Sequence, residues 1–246
     1  MSGRLSFEEY LSFISADADR LSAVTAVALG NRVPACPDWT ARDLVEHVGG
    51  VYEFFRLQVE AADVDEAHEI DQVLVPEATD PGEWLEQQAT DLLATMESAG
   101  AEAPCWNWSG ADCNVAWVAR RMALETAVHR YDGEMAAGDP RPLDVALSVD
   151  GIDERIYVHL ATDVPDVRTA ALGGSICLVC TDAEAAWVVE VGGGSMRARD
   201  KQGPASACLR GTASDLFLFS WNRLAPSALD LTGDPAVARA WASLPV

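Results

Sequence analysis

Basic side chains are scarce in this chain of 246 residues, which has 17 Lys and Arg against 39 Asp and Glu and a formal net charge of -22. Lys201 is the single lysine. A surface that binds nucleic acid needs an excess of basic side chains to neutralise the phosphates. The charge balance therefore excludes nucleic-acid binding as the main function.

Long hydrophobic runs and closely spaced cysteines are also missing. No segment reaches the roughly 18 consecutive apolar residues that a membrane span requires. Six cysteines are too few for a disulfide scaffold in a chain of this length. The first residues lack the charged start and apolar run of a signal peptide. We therefore expect a cytoplasmic protein with reduced thiols and no membrane partner, and the sequence leaves its oligomeric state open.

The two parts of the chain differ in charge and in pattern. Residues 1–140 contain 26 acidic and 8 basic residues, whereas residues 141–246 contain 13 and 9. Between them, Gly138-Asp139-Pro140-Arg141-Pro142 combines a glycine that can end a helix with two prolines. The sequence therefore predicts two domains, 1–140 and 141–246, in a fold of the α+β class.

The first domain shows helical periodicity in four segments, with no strand pattern between them. Thr40 and Asp43 can form a capping box at the start of the second helix. The third helix can start at Asp80, which is followed by Pro81, and the fourth spans about 114–137 before a glycine. Four amphipathic helices of this kind predict a four-helix bundle.

The second domain begins with a helical pattern at about 143–161 and continues with short runs typical of strands. The predicted strands are Ser175–Thr181, Ala186–Val191, Ser195–Arg199 and Ala205–Arg210. Gly192-Gly193-Gly194 is interpreted as a hairpin turn. A helix is predicted from Thr212 to about Leu224, with Thr212 and Asp215 as its capping box. A short helix that begins near Asp234-Pro235 completes a small α+β domain.

Polar residues fall on helix faces that should be buried. The inward series is Val115, Val118, Met122, Glu125, His129 and Asp132 in the fourth helix and Leu44, His47, Val51 and Phe54 in the second. Removing a carboxylate from water costs several kcal/mol, so an ionised glutamate is seldom buried without a partner. The interior of the first domain must therefore compensate Glu125.

Two interpretations of this pattern remain open. Glu125 and His129 are four residues apart and leave the same helix face. With His47 from the second helix they would form a set of two histidines and one carboxylate, which can hold a divalent metal with open coordination positions. Alternatively, Glu125 forms a buried ion pair with Arg121 or Arg130, and His47 is a hydrogen-bonded core histidine or a partly exposed one.

Three segments resemble the mycothiol-dependent maleylpyruvate isomerase family. Residues 33–40, followed by Asp43–Gly50, are similar to the N-terminal signature of that family, and Arg120–Arg130 is similar to its second metal motif. Gly211–Leu216, with Trp221-Asn222-Arg223 after it, resembles the segment that marks its C-terminal domain. The three segments occur in the expected order and span nearly the whole chain.

The resemblance implies a DinB-like four-helix bundle that carries a divalent metal, usually zinc, and a smaller α+β domain of the sterol-carrier-like type. The metal ligands of the family fall on His47, Glu125 and His129, which the helical periodicity also selects. A family arginine that serves the substrate falls on Arg223, where Asn222 replaces the usual glycine.

The resemblance also implies an activity. The expected protein is a metal-dependent enzyme that activates mycothiol or a similar low-molecular-weight thiol for addition to an electrophilic small molecule. Isomerase and S-transferase outcomes are both open, because the thiol can leave again or remain attached. Two further functions stay open: a metal-dependent hydrolase or lyase that activates water, and a non-catalytic protein that binds small molecules.

Overall fold

The computed structural model describes residues 4–163, 174–192 and 195–244, which divide into two compact units. The first unit is Ser6–Arg141, and the second consists of the described residues from Pro142 onward together with Arg4 and Leu5. Helices dominate the first unit and a five-stranded sheet with helices forms the second, so the fold mixes helix and sheet. In the described ranges, every helix is too short or too polar to cross a membrane.

Four long helices make up most of the first unit and enclose its apolar core. They are α1 (Phe7–Ala28), α2 (Ala41–Ala61), α3 (Pro81–Ala99) and α4 (Val115–Ala137). The most extensive contacts join α1 to α4 and α2 to α3. Among the fully buried side chains at their centre are Ile14, Leu21, Leu44, Tyr52, Leu85, Leu92, Met96 and Met122.

Side-chain caps set the ends of these helices. The Thr40 hydroxyl accepts a hydrogen bond from the backbone N–H of Asp43, whose carboxylate accepts one from the backbone N–H of Thr40, so the predicted capping box is confirmed. Asp80 caps α3 ahead of Pro81, and Gly138 ends α4 in the left-handed conformation, both as predicted. A cap of this kind contributes typically about 1 kcal/mol, which helps to place each helix start at a defined residue.

A short hairpin precedes α2, and the prediction that no strand lies between the helices is wrong. Strand β1 (Arg32–Val33) pairs antiparallel with β2 (Cys36–Thr40). The two strands are too short for an alternating pattern, and β2 contains Pro37, which is unusual inside a strand. The hairpin places the ring of Trp39 4.9 Å from that of His47 on α2, measured between centroids.

Two glycines allow close helix packing in the first unit. A Cβ added at Gly49 of α2 would lie 2.2 Å from the ring of Trp84 on α3. A Cβ at Gly133 of α4 would lie 2.6 Å from Leu21 on α1. These distances are shorter than any ordinary contact, so each large side chain packs directly on the backbone of the neighbouring helix.

The second unit contains a mixed sheet. Its strands are β3 (Ser175–Cys180), β4 (Ala186–Gly192), β5 (Ser195–Arg199), β6 (Ala207–Gly211) and β7 (Asp230–Gly233). They lie in the order β5-β4-β3-β6-β7, with β3 and β6 parallel and the other neighbours antiparallel. The four predicted strands are confirmed within two residues at each end. Strand β7 was not predicted, because Leu231 is its single apolar residue.

The helices of this unit differ in detail from the expected ones. The predicted segment at 143–161 consists of α5 (Val145–Glu154), a π-helical turn (Arg155–His159) and α6 (Leu160–Asp163). The helix expected to reach Leu224 is α7 (Ala213–Ser220), and it ends early because Asn222 adopts a positive φ of 60°. A 3-10 turn (Pro226–Ala228) follows, and α8 (Pro235–Trp241) starts at Asp234 as predicted. Of the predicted glycine turn, residues 193 and 194 lie outside the described residues.

Candidate metal centre

Three side chains from two helices of the first unit converge. His47 comes from α2, and Glu125 and His129 come from successive turns of α4. One ligand atom from each lies within 4.8 Å of the others. Glu125 Oε1 is 3.3 Å from His47 Nε2 and 3.1 Å from His129 Nε2. The structure thus brings together the three residues that the helical periodicity selects.

Burial is graded across this cluster. His129 is buried, at 7% exposure, because α4 is enclosed on most sides by the rest of the unit. The side chains of Glu125 and His47 are more exposed, at 19% and 34%. The cluster is therefore closed at His129 and open to solvent at His47.

Arg121 satisfies the other oxygen of the glutamate. Its Nη2 donates to Glu125 Oε2 at 2.8 Å, so the ion pair that sequence analysis considered as an alternative does form. It leaves Oε1 facing both histidines. Arg130 does not take this place, because it pairs with Asp17 and Glu134. The ion pair and the histidine cluster therefore coexist around one carboxylate.

Asp132 orients the buried histidine. Its Oδ2 lies 3.0 Å from His129 Nδ1, and Asp132 is only 1% exposed. When His129 is neutral, the Nδ1–H donates to this carboxylate and the lone pair of Nε2 points towards Glu125. Metal-ligating histidines commonly have such a carboxylate partner. The helical periodicity places Asp132 on the buried face but gives it no role, although its spacing of three residues from His129 is a signal for this contact.

Burial and charge act in opposite directions on the two central groups. Burial disfavours the ionised form of Glu125, but the charge and hydrogen bond of His129, the hydrogen bond of His47 and the charge of Arg121 hold its pKa well below the usual range. Burial likewise disfavours the imidazolium of His129, but Glu125 and Asp132 outweigh it and raise the pKa to about 9. Without a cation, a proton on His129 thus compensates the carboxylates.

The donor set fits a divalent metal. Two imidazole nitrogens and one carboxylate oxygen are ligands that zinc and similar first-row cations accept. In the described part of the chain, this cluster has three members and no fourth protein ligand. Structural zinc sites are closed by four protein ligands, whereas catalytic sites keep a position for water or substrate. The arrangement is therefore of the open type.

A pocket of about 560 Å³ opens beside His47. The hairpin, α2 and the segment that follows it line the pocket, through residues that include Asp38, Trp39, Glu46, His47, Val51, Phe54, Asp71 and Leu74. The prediction that His47, Val51 and Phe54 lie on the buried face of α2 needs correction, because all three are only half-buried. The buried face of α2 is the adjacent one, formed by Leu44, Val45, Val48, Tyr52, Phe55 and Val59.

Arg223 lies in the second unit, three residues after the end of α7. Its side chain is half-buried, and Nη1 donates to the carbonyl oxygen of Trp221 at 2.8 Å. Asn222, which precedes it, has the positive φ of a residue that ends a helix. A role of Arg223 towards a substrate stays a prediction.

Comparison with known proteins assigns the family. Residues 13–133, which include all three clustered residues, match the family model of the mycothiol maleylpyruvate isomerase N-terminal domain. The fold is similar to crystal structures of the mycothiol-dependent maleylpyruvate isomerase and of its histidine-to-alanine mutant, each with a TM-score of 0.63, 12% identity and 93% coverage of both chains. A comparison with curated proteins gives no match. Residues 13–133 of this chain therefore belong to the mycothiol maleylpyruvate isomerase N-terminal domain family.

Proposed function

We propose that this chain is a metal-dependent enzyme that uses mycothiol or a similar low-molecular-weight thiol to attack an electrophilic small molecule. The observation that carries the proposal is the convergence of ligand atoms of His47, Glu125 and His129 within 4.8 Å beside an open pocket. Family membership supports the thiol, because the matching family model is named for mycothiol. The reaction would be an isomerisation or an S-transfer.

His47, Glu125 and His129 would hold the metal, and the cation we propose is zinc, one of the divalent metals that this donor set accepts. When bound, such a cation lowers the pKa of a thiol at an open position, so that the thiol is a thiolate at neutral pH. The carboxylate of Asp132 accepts a hydrogen bond from the Nδ1–H of His129, which keeps the lone pair of Nε2 available for the metal. Arg121 donates to Oε2 of Glu125, adds to the effect of the histidines in holding the pKa of Glu125 low, and leaves Oε1 facing the histidines.

The pocket beside His47 would position the reactants. Trp39 and Phe54 offer apolar surface next to the cluster. The half-exposed His47 forms the border between the pocket and the buried ligands. The geometry thus supports an attacking group that enters from this pocket.

Arg223 is proposed to bind a carboxylate or a developing oxyanion of the electrophile. The support is the resemblance of Trp221-Asn222-Arg223 to the family segment, and the planar fork of donors that suits guanidinium to this task. In the same proposal, residues 1–140 are a DinB-like four-helix bundle, residues 141–246 are a sterol-carrier-like domain, and the enzyme works in the cytoplasm.

Metal quantification followed by a thiol-conjugation assay tests the proposal. We expect about one zinc per wild-type chain and a loss of most of it in Glu125→Gln, because the variant removes the only carboxylate ligand. Glu97→Gln, an exposed change on α3, is the matched control and should retain the metal. Turnover of an electrophile should require both the metal and mycothiol.

Two outcomes would contradict the proposal and separate its alternatives. Purified protein without stoichiometric metal, and unchanged by His47→Ala, would favour a non-catalytic binding protein. Metal-dependent turnover that is the same with and without added thiol would favour a hydrolase or lyase that activates water.

A further inference from the structure

The charged groups that line the pocket beside His47 are all of one sign. Asp38, Asp43, Glu46 and Asp71 line it, and none of its described lining residues is a lysine or an arginine. The chain as a whole adds a negative field, with a formal net charge of -22. A pocket of this kind lowers the local concentration of anions and raises that of cations.

The four carboxylates are not equally available to a ligand. Asp43 is engaged in the capping box with Thr40, and Glu46 accepts from Arg42 Nε at 3.2 Å. Asp38 and Asp71 are exposed carboxylates, the first on β2 and the second on the segment between α2 and α3. Asp38 and Asp71 are therefore the lining carboxylates that an entering ligand can contact most directly.

Apolar surface lies between these carboxylates. Leu74 is 52% exposed although it is a large hydrophobic residue, and it lines the pocket together with Trp39 and Phe54. Apolar walls with a few polar groups are typical of small-molecule sites. The lining therefore suits a ligand that has both apolar surface and hydroxyl or ammonium groups.

We infer that this pocket takes the part of the thiol cosubstrate beyond its sulfur, and that this part is neutral or cationic and not anionic. The inference rests on the proposed function, since it needs the thiol sulfur to lie at the cluster of His47, Glu125 and His129. Ammonium and hydroxyl groups donate hydrogen bonds to carboxylates. A carboxylate on the thiol would meet Asp38 and Asp71 without any basic partner in the pocket lining.

Three small thiols provide a direct test on the full chain loaded with Co²⁺ in place of zinc. Cysteamine, 2-mercaptoethanol and 3-mercaptopropionate share a two-carbon spacer and end in an ammonium, a hydroxyl and a carboxylate. Near-ultraviolet absorption of the sulfur–cobalt bond reports binding independently of turnover. Because these thiols also differ in acidity, the quantity to compare is the change in each dissociation constant between wild type and variant.

The variant is Asp38→Asn together with Asp71→Asn, which keeps the side-chain shape and removes two charges. We expect the preference for cysteamine over 3-mercaptopropionate to fall by about tenfold, with little change for 2-mercaptoethanol. The matched control is Asp91→Asn with Glu97→Gln, which removes the same charge from the exposed face of α3 outside the pocket lining. The control should keep the wild-type preference.

The possible results separate this inference from the proposed function. If the three thiols give the absorption band but the pocket variant keeps the wild-type preference, the inference is wrong and the thiol function stands. Equal changes in the pocket variant and the control would also overturn it. If no thiol produces the band in the loaded wild type, both the proposed function and the inference fail.

Discussion

Helix α4 contributes a glutamate to each of two clusters of charged side chains, and the residues around the two glutamates differ. At its middle, Glu125 faces two histidines. About two and a half turns later, Glu134 faces arginines: Arg130 Nη1 donates to it at 2.7 Å and Arg20 Nε at 3.0 Å. The backbone N–H of Arg141 also donates to Glu134, at 2.9 Å. We call the first group the histidine cluster and the second the arginine cluster.

The difference lies in which partner can give way to a cation. Arginine stays protonated at all accessible pH values, so a carboxylate surrounded by arginines is permanently occupied. A histidine can lose its proton and offer a lone pair instead. The arginine cluster can therefore only hold helices together, whereas the histidine cluster can exchange a proton for a metal.

Breaking the arginine cluster should have the largest effect on stability. Arg130→Met would leave Asp17 without its closest ion-pair partner and Glu134 with one fewer, and we expect the free energy of unfolding to fall by about 3–5 kcal/mol. Urea unfolding followed by circular dichroism measures this. Arg56→Met, which removes more exposed ion pairs on α2, is the control and should cost less than about 1 kcal/mol. Loss of metal from the folded Arg130→Met protein would contradict the division of roles.

Breaking the histidine cluster should mainly affect the metal. His129→Ala removes one of three ligands, and zinc should bind more weakly by about 3 kcal/mol or more, which is one ligand's share of a typical zinc-binding free energy. Competition with a chromophoric chelator gives the affinity. His68→Ala, at an exposed histidine in the same unit, should bind zinc like the wild type. Equal affinity of the two variants would show that the metal binds elsewhere.

Asp132→Asn sharpens the comparison because it changes the hydrogen-bond partner of His129 and none of the three clustered residues. The amide can keep a hydrogen bond to His129 but loses the charge, and zinc affinity should fall by about 10–100-fold. Stoichiometry at saturating zinc should remain that of the wild type. A complete loss of binding would instead identify Asp132 as a ligand.

The smallest effect is a dependence on pH. The pKa of His129 is raised to about 9 in the metal-free protein, so zinc must displace a proton from it at neutral pH. As the pH rises towards 9, the apparent zinc affinity should increase by up to about tenfold per pH unit. In the metal-free protein, stabilisation by this proton is complete below the ordinary pKa of 6.5 and is lost as the pH rises through about 9. Calorimetry in two buffers of different ionisation enthalpy should detect release of about one proton at pH 7.5; release of none would contradict the raised pKa.

Local signals made much of the fold predictable. Thr40 with Asp43 and Asp80 with Pro81 start helices through bonds within one turn, and Gly138 ends one through its own backbone, so no distant contact is needed to recognise them. The clustered residues were predictable for a related reason. A helical period places Glu125 and His129 on one face whatever the rest of the chain does.

Features that depend on distant contacts could not be predicted. The pairing that forms β7 with β6 joins segments about twenty residues apart, and Leu231 alone carries no pattern. On α2, the face that is buried lies next to the predicted one, because α3 packs on that face while the predicted face borders the pocket. Periodicity alone gives two adjacent stripes in such a helix, and His47 lies on the stripe that the neighbours leave half-covered.

Because Trp84 packs directly on Gly49, a substitution at position 49 should affect the position of His47, although residue 49 is not one of the clustered residues. Any larger residue there must push the indole away by more than an ångström, and the two helices would separate just beyond His47. In a library of random substitutions, changes at this glycine should thus be enriched among clones that fold but fail to retain zinc. Position 49, which offers no side chain to the metal, would then show the same phenotype in the selection as a metal ligand.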